Sequence, residues 1–162
     1  MTTPHLSRLD HALHALLHER RHAALGTLDA GGRPFVSMVP YAIDAAAPCL
    51  VLHVSGLAAH TAHMATDARV SLLVTAADAP DQPVHDLARV TLQALAHAPA
   101  RGSAAWASAR TAYLARFPDA EPMTELPDFR FVTLEPTAAR QVAGFGAARA
   151  VPADELTRIL AA

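Results

Sequence analysis

The sequence predicts a mainly antiparallel β fold with helices packed outside the sheet. The predicted elements run helix, three strands, helix, two strands, helix, two strands and a final short helix. Most strands are joined by connections of hairpin length, which favours antiparallel pairing. No GxGxxG motif follows the first strand, which argues against a dinucleotide-binding βαβ fold. These three observations indicate a small barrel with helices on its outside.

The first element is an amphipathic helix over residues 6–20, because leucines recur on one face at helical spacing. Either Ser7 or Thr3 is suited to cap its start. The strands that follow are apolar or alternating segments separated by turns. Pro40 lies inside the second strand, which indicates an edge, a bulge or a point where the ladder opens for a ligand. The predicted strands are 23–28, 34–43, 49–54, 70–75, 89–97, 129–134 and 140–144.

Three further helices are predicted at 57–66, 102–116 and 154–160. We expect one domain over 1–162, because the chain is long enough for one core and contains no linker or repeat. Cys49 heads a buried strand and is expected to be a core thiol. Alternation along the strands directs eight side chains into the barrel. They are Phe35, Val39, Leu50, Leu52, Leu72, Val74, Val90 and Leu92.

The composition excludes several classes of protein. Hydrophobic residues make up 52% of the chain and charged residues 17%, which is too apolar for a disordered protein. The net charge of -2 offers no basic field for nucleic acid. No apolar run reaches the roughly 18 residues of a membrane span, and the N-terminus is not a signal peptide. A cytoplasmic protein is therefore expected.

All 13 basic residues are Arg, and the chain contains neither Lys nor Asn. A Schiff-base lysine and a P-loop lysine are therefore excluded. Any phosphate must be held by Arg, His, Ser, Thr or backbone N–H groups.

Four histidines, His11, His14, His18 and His22, form one stripe of the first helix. Pairs at this spacing can chelate Zn²⁺ or Ni²⁺. The stripe lies opposite the leucine face and has no acidic ligand nearby, so we expect a solvated face and no metal site.

A second group of polar residues surrounds the start of the second helix. Ser55, His60 and Thr61 lie in or beside its first turn, where free N–H groups favour anions. Ser37, on the neighbouring strand, is placed to face the same space. These residues predict a phosphate pocket beside an apolar sheet. The alternative is that Ser55 only caps the helix and His60 is a surface residue.

The chain also resembles a known family. The segments that carry the resemblance are GTLDAGGRPFVSMVPYA, HVSGLAAHTAHMATDARVSLLV, ARVTLQALA, AYLARFPDAE and VAGFGAA. Their order and spacing over residues 20–150 are similar to those of the FMN-binding split-barrel proteins related to pyridoxamine 5′-phosphate oxidase, including the haem-utilisation branch.

The resemblance implies a six-stranded antiparallel split β-barrel and a homodimer with one FMN in each of two clefts at the interface. It implies an FMN-dependent oxidoreductase that acts on a small molecule, with no catalytic residue identified. The phosphate would lie near Ser37, Ser55, His60 and Thr61. The flavin ring would lie along Met38, Val39, Pro40 and Tyr41, with His53 and Val54 nearby, and Arg89 falls at a further flavin-contacting position.

The chain departs from the oxidase at its phosphate contacts. Ala59 and His60 replace an arginine–lysine pair, and Ser37 replaces an arginine. We therefore do not expect a true pyridoxamine phosphate oxidase. A haem-handling protein is the alternative, although residues 98–162 lack the C-terminal histidine that the resemblance implies as the haem ligand. A deazaflavin cofactor and a non-enzymatic cofactor-binding module also remain open.

Overall fold

A computed structural model describes residues 6–162, which contain a curled antiparallel sheet. The described residues form eight strands, so the expected count of six is wrong, while the mainly antiparallel sheet is confirmed. The strands are β1 (His22–Leu28), β2 (Pro34–Pro40), β3 (Ala42–Asp44), β4 (Cys49–Ser55), β5 (Arg69–Thr75), β6 (Arg89–His97), β7 (Phe129–Val142) and β8 (Ala148–Pro152). Their order is β2-β1-β5-β6-β7-β4-β3, and β8 pairs with β7.

The two ends of this strand order are joined through a single residue, Tyr41. Strand β2 pairs with β1, whereas β3 pairs with β4 at the other end of the sheet. The segment 34–43 was predicted as one strand, and it divides at Tyr41, which lies in neither strand and donates its N–H to the carbonyl of Arg21. Pro40, which has no N–H, ends β2 at this point. The sheet therefore curls back on itself as a split barrel.

The last part of the sheet also differs from the prediction. The strands predicted at 129–134 and 140–144 are one continuous strand, β7. It passes through Pro136, which pairs with Ala94, and the next residue, Thr137, is an extra residue of β7 opposite Gln93 and Ala94. This irregularity accommodates a residue that cannot donate to the ladder. Strand β8 was not predicted.

Five α-helices are present in residues 6–162. They are α1 (Arg8–Glu19), α2 (Ala59–Thr66), α3 (Ala104–Arg116), α4 (Glu121–Thr124) and α5 (Ala153–Leu160). Ser7 caps α1 in a reciprocal arrangement with Asp10, while Thr3 lies outside the described residues. Ala58 occupies the N-cap position of α2 without a side-chain cap, so a start at Leu57 and a capping role for Ser55 are wrong. None of the described helices combines the length and apolarity needed to cross a bilayer.

The core fills the inside of the curled sheet. Seven of the eight predicted interior side chains are at most 2% exposed, namely Val39, Leu50, Leu52, Leu72, Val74, Val90 and Leu92. Phe35 is 41% exposed, so its predicted place in the interior is wrong. It lies near the start of the edge strand β2, where its ring meets the edge of His63. Cys49 is buried, which confirms the core thiol.

A buried polar network around Arg149 holds both ends of the described chain against the sheet. Its guanidinium donates to Gln141, Glu155 and Asp10, which lie on β7, α5 and α1. Burial opposes the charged form of Asp10. Hydrogen bonds from the Ser7 backbone and Arg149 outweigh burial and hold the pKa of Asp10 well below its usual range.

Candidate functional site

Helix α2 is attached to the sheet by two pairs of hydroxyl and imidazole groups. Ser37 Oγ lies 2.9 Å from Nδ1 of His60, and Thr27 Oγ1 lies 2.9 Å from Nδ1 of His63. The first pair brings together two of the predicted phosphate residues from β2 and α2. The second pair was not predicted, and it indicates that both histidines also help to dock the helix.

At neutral pH the imidazole of His60 interacts with a ligand through a hydrogen bond and not through a positive charge. Burial lowers its pKa below the ordinary value, and the neighbouring His63 lowers it further. The imidazole is therefore neutral at pH 7 unless an anion binds beside it.

The hydroxyls of Ser55 and Thr61 are engaged within the turn that joins β4 to α2. Ser55 Oγ donates to a carboxylate oxygen of Asp128 at 3.3 Å and accepts the N–H of Leu57 at 3.1 Å. Thr61 Oγ1 donates to the Ser55 carbonyl at 2.7 Å. An acidic side chain thus lies beside the predicted phosphate position, and an entering anion would compete with it for Ser55.

Arg130 also lies at this turn and was not singled out by the sequence. It faces Val54 in the pairing of β4 with β7. A Cβ atom added to Gly56 would lie 3.2 Å from Nη2 of Arg130 and 3.0 Å from the carbonyl oxygen of Asp128. The only feature of the sequence that points to Arg130 is its charge between two aromatic residues of a predicted strand, in the segment FRF.

The predicted flavin strand divides between two environments. Met38 and Pro40 are exposed on one face of β2, whereas Val39 points into the core. Tyr41 is fully buried, and its hydroxyl donates to the carbonyl of Leu17 at 2.7 Å. Burial raises the pKa of Tyr41 to about 12, against the opposing effect of Arg116. Tyr41 is therefore a structural residue and not an acid at neutral pH.

His53 and Val54 lie on opposite faces of β4. Val54 belongs to the interior core. His53 packs outside the sheet beneath α3, with ring centroids 4.7 Å from Phe131 and 5.1 Å from Phe129. Burial lowers the pKa of His53. One flat ligand cannot contact both side chains.

Arg89 lies at the start of β6, and its guanidinium donates to the carbonyls of Leu87 and His85. No hydrogen bond in residues 6–162 joins Arg89 to another predicted site residue.

An apolar groove of about 460 Å³ crosses the outer face of β2, β1, β5 and β6. The small residues Gly26 and Ser71 form the floor of the groove. The larger side chains of Phe35, Val36 and Leu95 line its sides. The same face continues to Met38 and Leu73 along the paired strands. Val36 and Met38 are each 66% exposed. This exposed apolar surface suits a flat apolar ligand or a second chain.

The predicted histidine stripe is divided in the structure, because His11, His14 and His18 lie on α1 whereas His22 begins β1. The rings of His14 and His18 stack with centroids 4.1 Å apart, next to Arg116. Burial, His14 and Arg116 together lower the pKa of His18. Among the described residues, no group of three or more His, Cys, Asp or Glu side chains could hold a metal ion.

Comparison with known proteins gives one family match, to a model described as pyridoxamine 5′-phosphate oxidase, over residues 9–143. A curated relative is the haem oxygenase HutZ of Vibrio cholerae. It is 27% identical over 150 residues, which cover 92% of this chain and 84% of that protein.

Solved structures give a similar result. A haem-binding protein from Mycobacterium smegmatis superposes with a TM-score of 0.83 at 27% identity over 94% of this chain, which spans only 61% of that protein. The Vibrio cholerae HutZ structure, described as a haem storage protein, gives a TM-score of 0.72 at 25% identity, covering 80% of this chain and 91% of that one. Campylobacter jejuni ChuZ matches at 0.81 but at 18% identity, covering 93% of this chain and 62% of that one, and supports the fold alone.

Proposed function

Because this chain belongs to the pyridoxamine 5′-phosphate oxidase family, close to its haem-utilisation group, we propose that it binds haem in haem utilisation. The observation that carries this proposal is the similarity to HutZ across 92% of the chain. The site agrees with it in one respect. The hydroxyls of Ser55 and Thr61, which were expected to hold a flavin phosphate, are already paired within the protein, and Asp128 lies beside them.

The outer sheet face suits a flat macrocycle. Its groove is apolar, and Gly26 lets a ring approach the backbone of β1. The exposed side chains of Val36 and Met38 would pack against the ring. Bound haem would supply an iron centre for redox or oxygen chemistry, while the chain would supply binding, orientation and exclusion of water.

We also propose that the chain forms a homodimer through this outer face, so that the second protomer would cover the groove and the ring bound in it. Val36, Met38 and Leu73 leave a contiguous apolar surface on β2, β1 and β5. We expect Met38→Glu to shift the protein toward monomer in sedimentation equilibrium, because it would bury a carboxylate at the interface. Leu57→Glu is the matched control, since Leu57 is exposed on a different turn. Equal association by both variants would reject this face.

FMN-dependent oxidoreduction is the second candidate. It is favoured by the family match over residues 9–143 and by the proximity of Ser37 to His60. Those two side chains would hold the phosphate, and bound FMN would supply hydride or electron transfer. A deazaflavin could bind the same scaffold.

Visible absorption spectra of the purified protein, alone and after adding haem, FMN or a deazaflavin separately, test these candidates. A Soret band that saturates at one haem per chain, without a response to flavins, supports haem binding. Saturable quenching of flavin fluorescence without a haem spectrum replaces haem with the flavin. No response to any of the three leaves a scaffold for another ligand and rejects both candidates.

A further inference from the structure

We propose that Arg130 holds the anionic group of the bound cofactor, which is the phosphate of a flavin or a carboxylate of haem. This assignment rests on the proposed function and names the residue that substitutes for the missing arginine–lysine pair. The contact geometry, the charge balance and the position of Arg130 each support it.

The contact geometry places the guanidinium over the backbone of the β4–α2 turn. Arg130 pairs with Val54, one residue before the predicted phosphate residue Ser55. Nη2 lies 3.2 Å from the position that a Cβ on Gly56 would occupy. Gly56 therefore leaves the space that the guanidinium uses, and most side chains there would displace it.

The guanidinium of Arg130 is not neutralised by an acidic side chain among the described residues, so it can bind an anion. Within residues 6–162, no ion pair joins Arg130 to an acid. Asp128, two positions earlier, uses its carboxylate to accept from Ser55 instead. The chain contains no lysine, and burial keeps His60 neutral at pH 7. A full positive charge at this turn must then come from an arginine.

Arg130 also lies close to Thr61, one of the predicted phosphate residues. Arg130 and Thr61 line the same small hollow of about 40 Å³ between α2 and the ends of β6 and β7. That hollow is too small for a phosphate, so an anion would lie on the solvent side of the guanidinium. Arg130 is exposed there, and its planar group can donate two parallel hydrogen bonds to a phosphate or a carboxylate.

Paired ligands that differ only in the anionic group provide the test. Arg130→Gln should weaken binding of FMN by about 10- to 100-fold, the effect of losing a charge-assisted hydrogen bond. Binding of riboflavin, which lacks the phosphate, should change less than about twofold. If the protein takes haem, the corresponding pair is haem and its dimethyl ester. The pair that responds identifies whether a phosphate or a carboxylate is held.

Arg158→Gln is the matched control, because it removes one exposed arginine from α5, away from the turn. Arg130→Lys should recover part of the lost affinity, since it keeps the charge without the planar donor group. Unchanged affinity of Arg130→Gln for the ligand that the wild-type protein binds would overturn this assignment alone. A wild-type protein that binds neither FMN nor haem would overturn it together with the proposed function.

Discussion

The hydroxyl of Tyr41 donates a 2.7 Å hydrogen bond to the carbonyl of Leu17, and this bond ties the junction of β2 and β3 to the last turn of α1. Arg116, on α3, donates to the carbonyls of His18 and Arg20 at the same helix end. The free carbonyls of α1 are thus satisfied by side chains from two other elements. Tyr41 therefore belongs to the scaffold that holds β2 in place, although its neighbours in sequence were predicted to contact a flavin.

Tyr41→Phe should lower the free energy of unfolding by about 1–2 kcal/mol, because it leaves a buried carbonyl without its partner. Urea denaturation followed by circular dichroism measures this change. Tyr113→Phe is the matched control, since the Tyr113 side chain makes no hydrogen bond among residues 6–162. A loss of the same size in both variants would assign the effect to hydroxyl removal in general.

Leu52→Ala and Leu72→Ala should each cost about 2–5 kcal/mol, because both side chains are fully buried inside the curled sheet. Leu57→Ala should stay within about 0.5 kcal/mol, since Leu57 is 89% exposed. Denaturant midpoints of the three variants, measured side by side, check the assignment. A midpoint unchanged in Leu52→Ala would be incompatible with β4 lining the core.

Arg149→Leu should destabilise the protein by about 3 kcal/mol, because it leaves the carboxylates of Asp10 and Glu155 without their partner. Arg33→Leu breaks an exposed pair with Asp29 and should cost less than about 1 kcal/mol. Thermal unfolding of both variants at one pH makes the comparison. Similar small losses would show that the Arg149 network is solvated in solution.

The affinity for FMN should rise as the pH falls below about 6.5, because His60 then gains the proton that attracts a phosphate. Burial lowers the pKa of the free His60, so most of this gain lies on the acid side of the ordinary value. Titrations between pH 5 and pH 8 measure it. His60→Gln should remove the part of the pH dependence that does not come from the phosphate itself. Identical curves for the two proteins would exclude His60 from the phosphate contact.

Strand positions with strong alternation were predictable, and so was the irregularity at Pro40, whereas the exposure of Phe35 and the continuation of β7 past Pro136 were not. The interior placement of Leu52 and Leu72 follows directly from local periodicity. Phe35 alternates correctly, but its position near the start of an edge strand leaves it 41% exposed. The strands predicted at 129–134 and 140–144 are one strand, because β7 continues past Pro136 with one extra residue, Thr137, in its pairing with β6.

The candidate site was predictable only in part, because its contacts depend on how separate elements dock. The proximity of Ser37 and His60 followed from a neighbouring strand and helix, and the structure confirms it. Arg130 and Asp128 lie more than 70 positions after Ser55 and reach it through the pairing of β4 with β7. No spacing in the sequence connects them.

The pairing of β4 with β7 has a consequence for how the chain is made. Leu50 pairs with Leu134, roughly 80 positions later, while β3 offers β4 only three partners nearby. As the chain leaves the ribosome, the apolar segment CLVLHV therefore emerges well before the strand that covers it. During that interval it is a strand with an open edge, the kind of segment that self-associates or recruits a chaperone. The sequence separation between β4 and β7 thus determines how long the nascent protein is exposed to aggregation before the barrel closes.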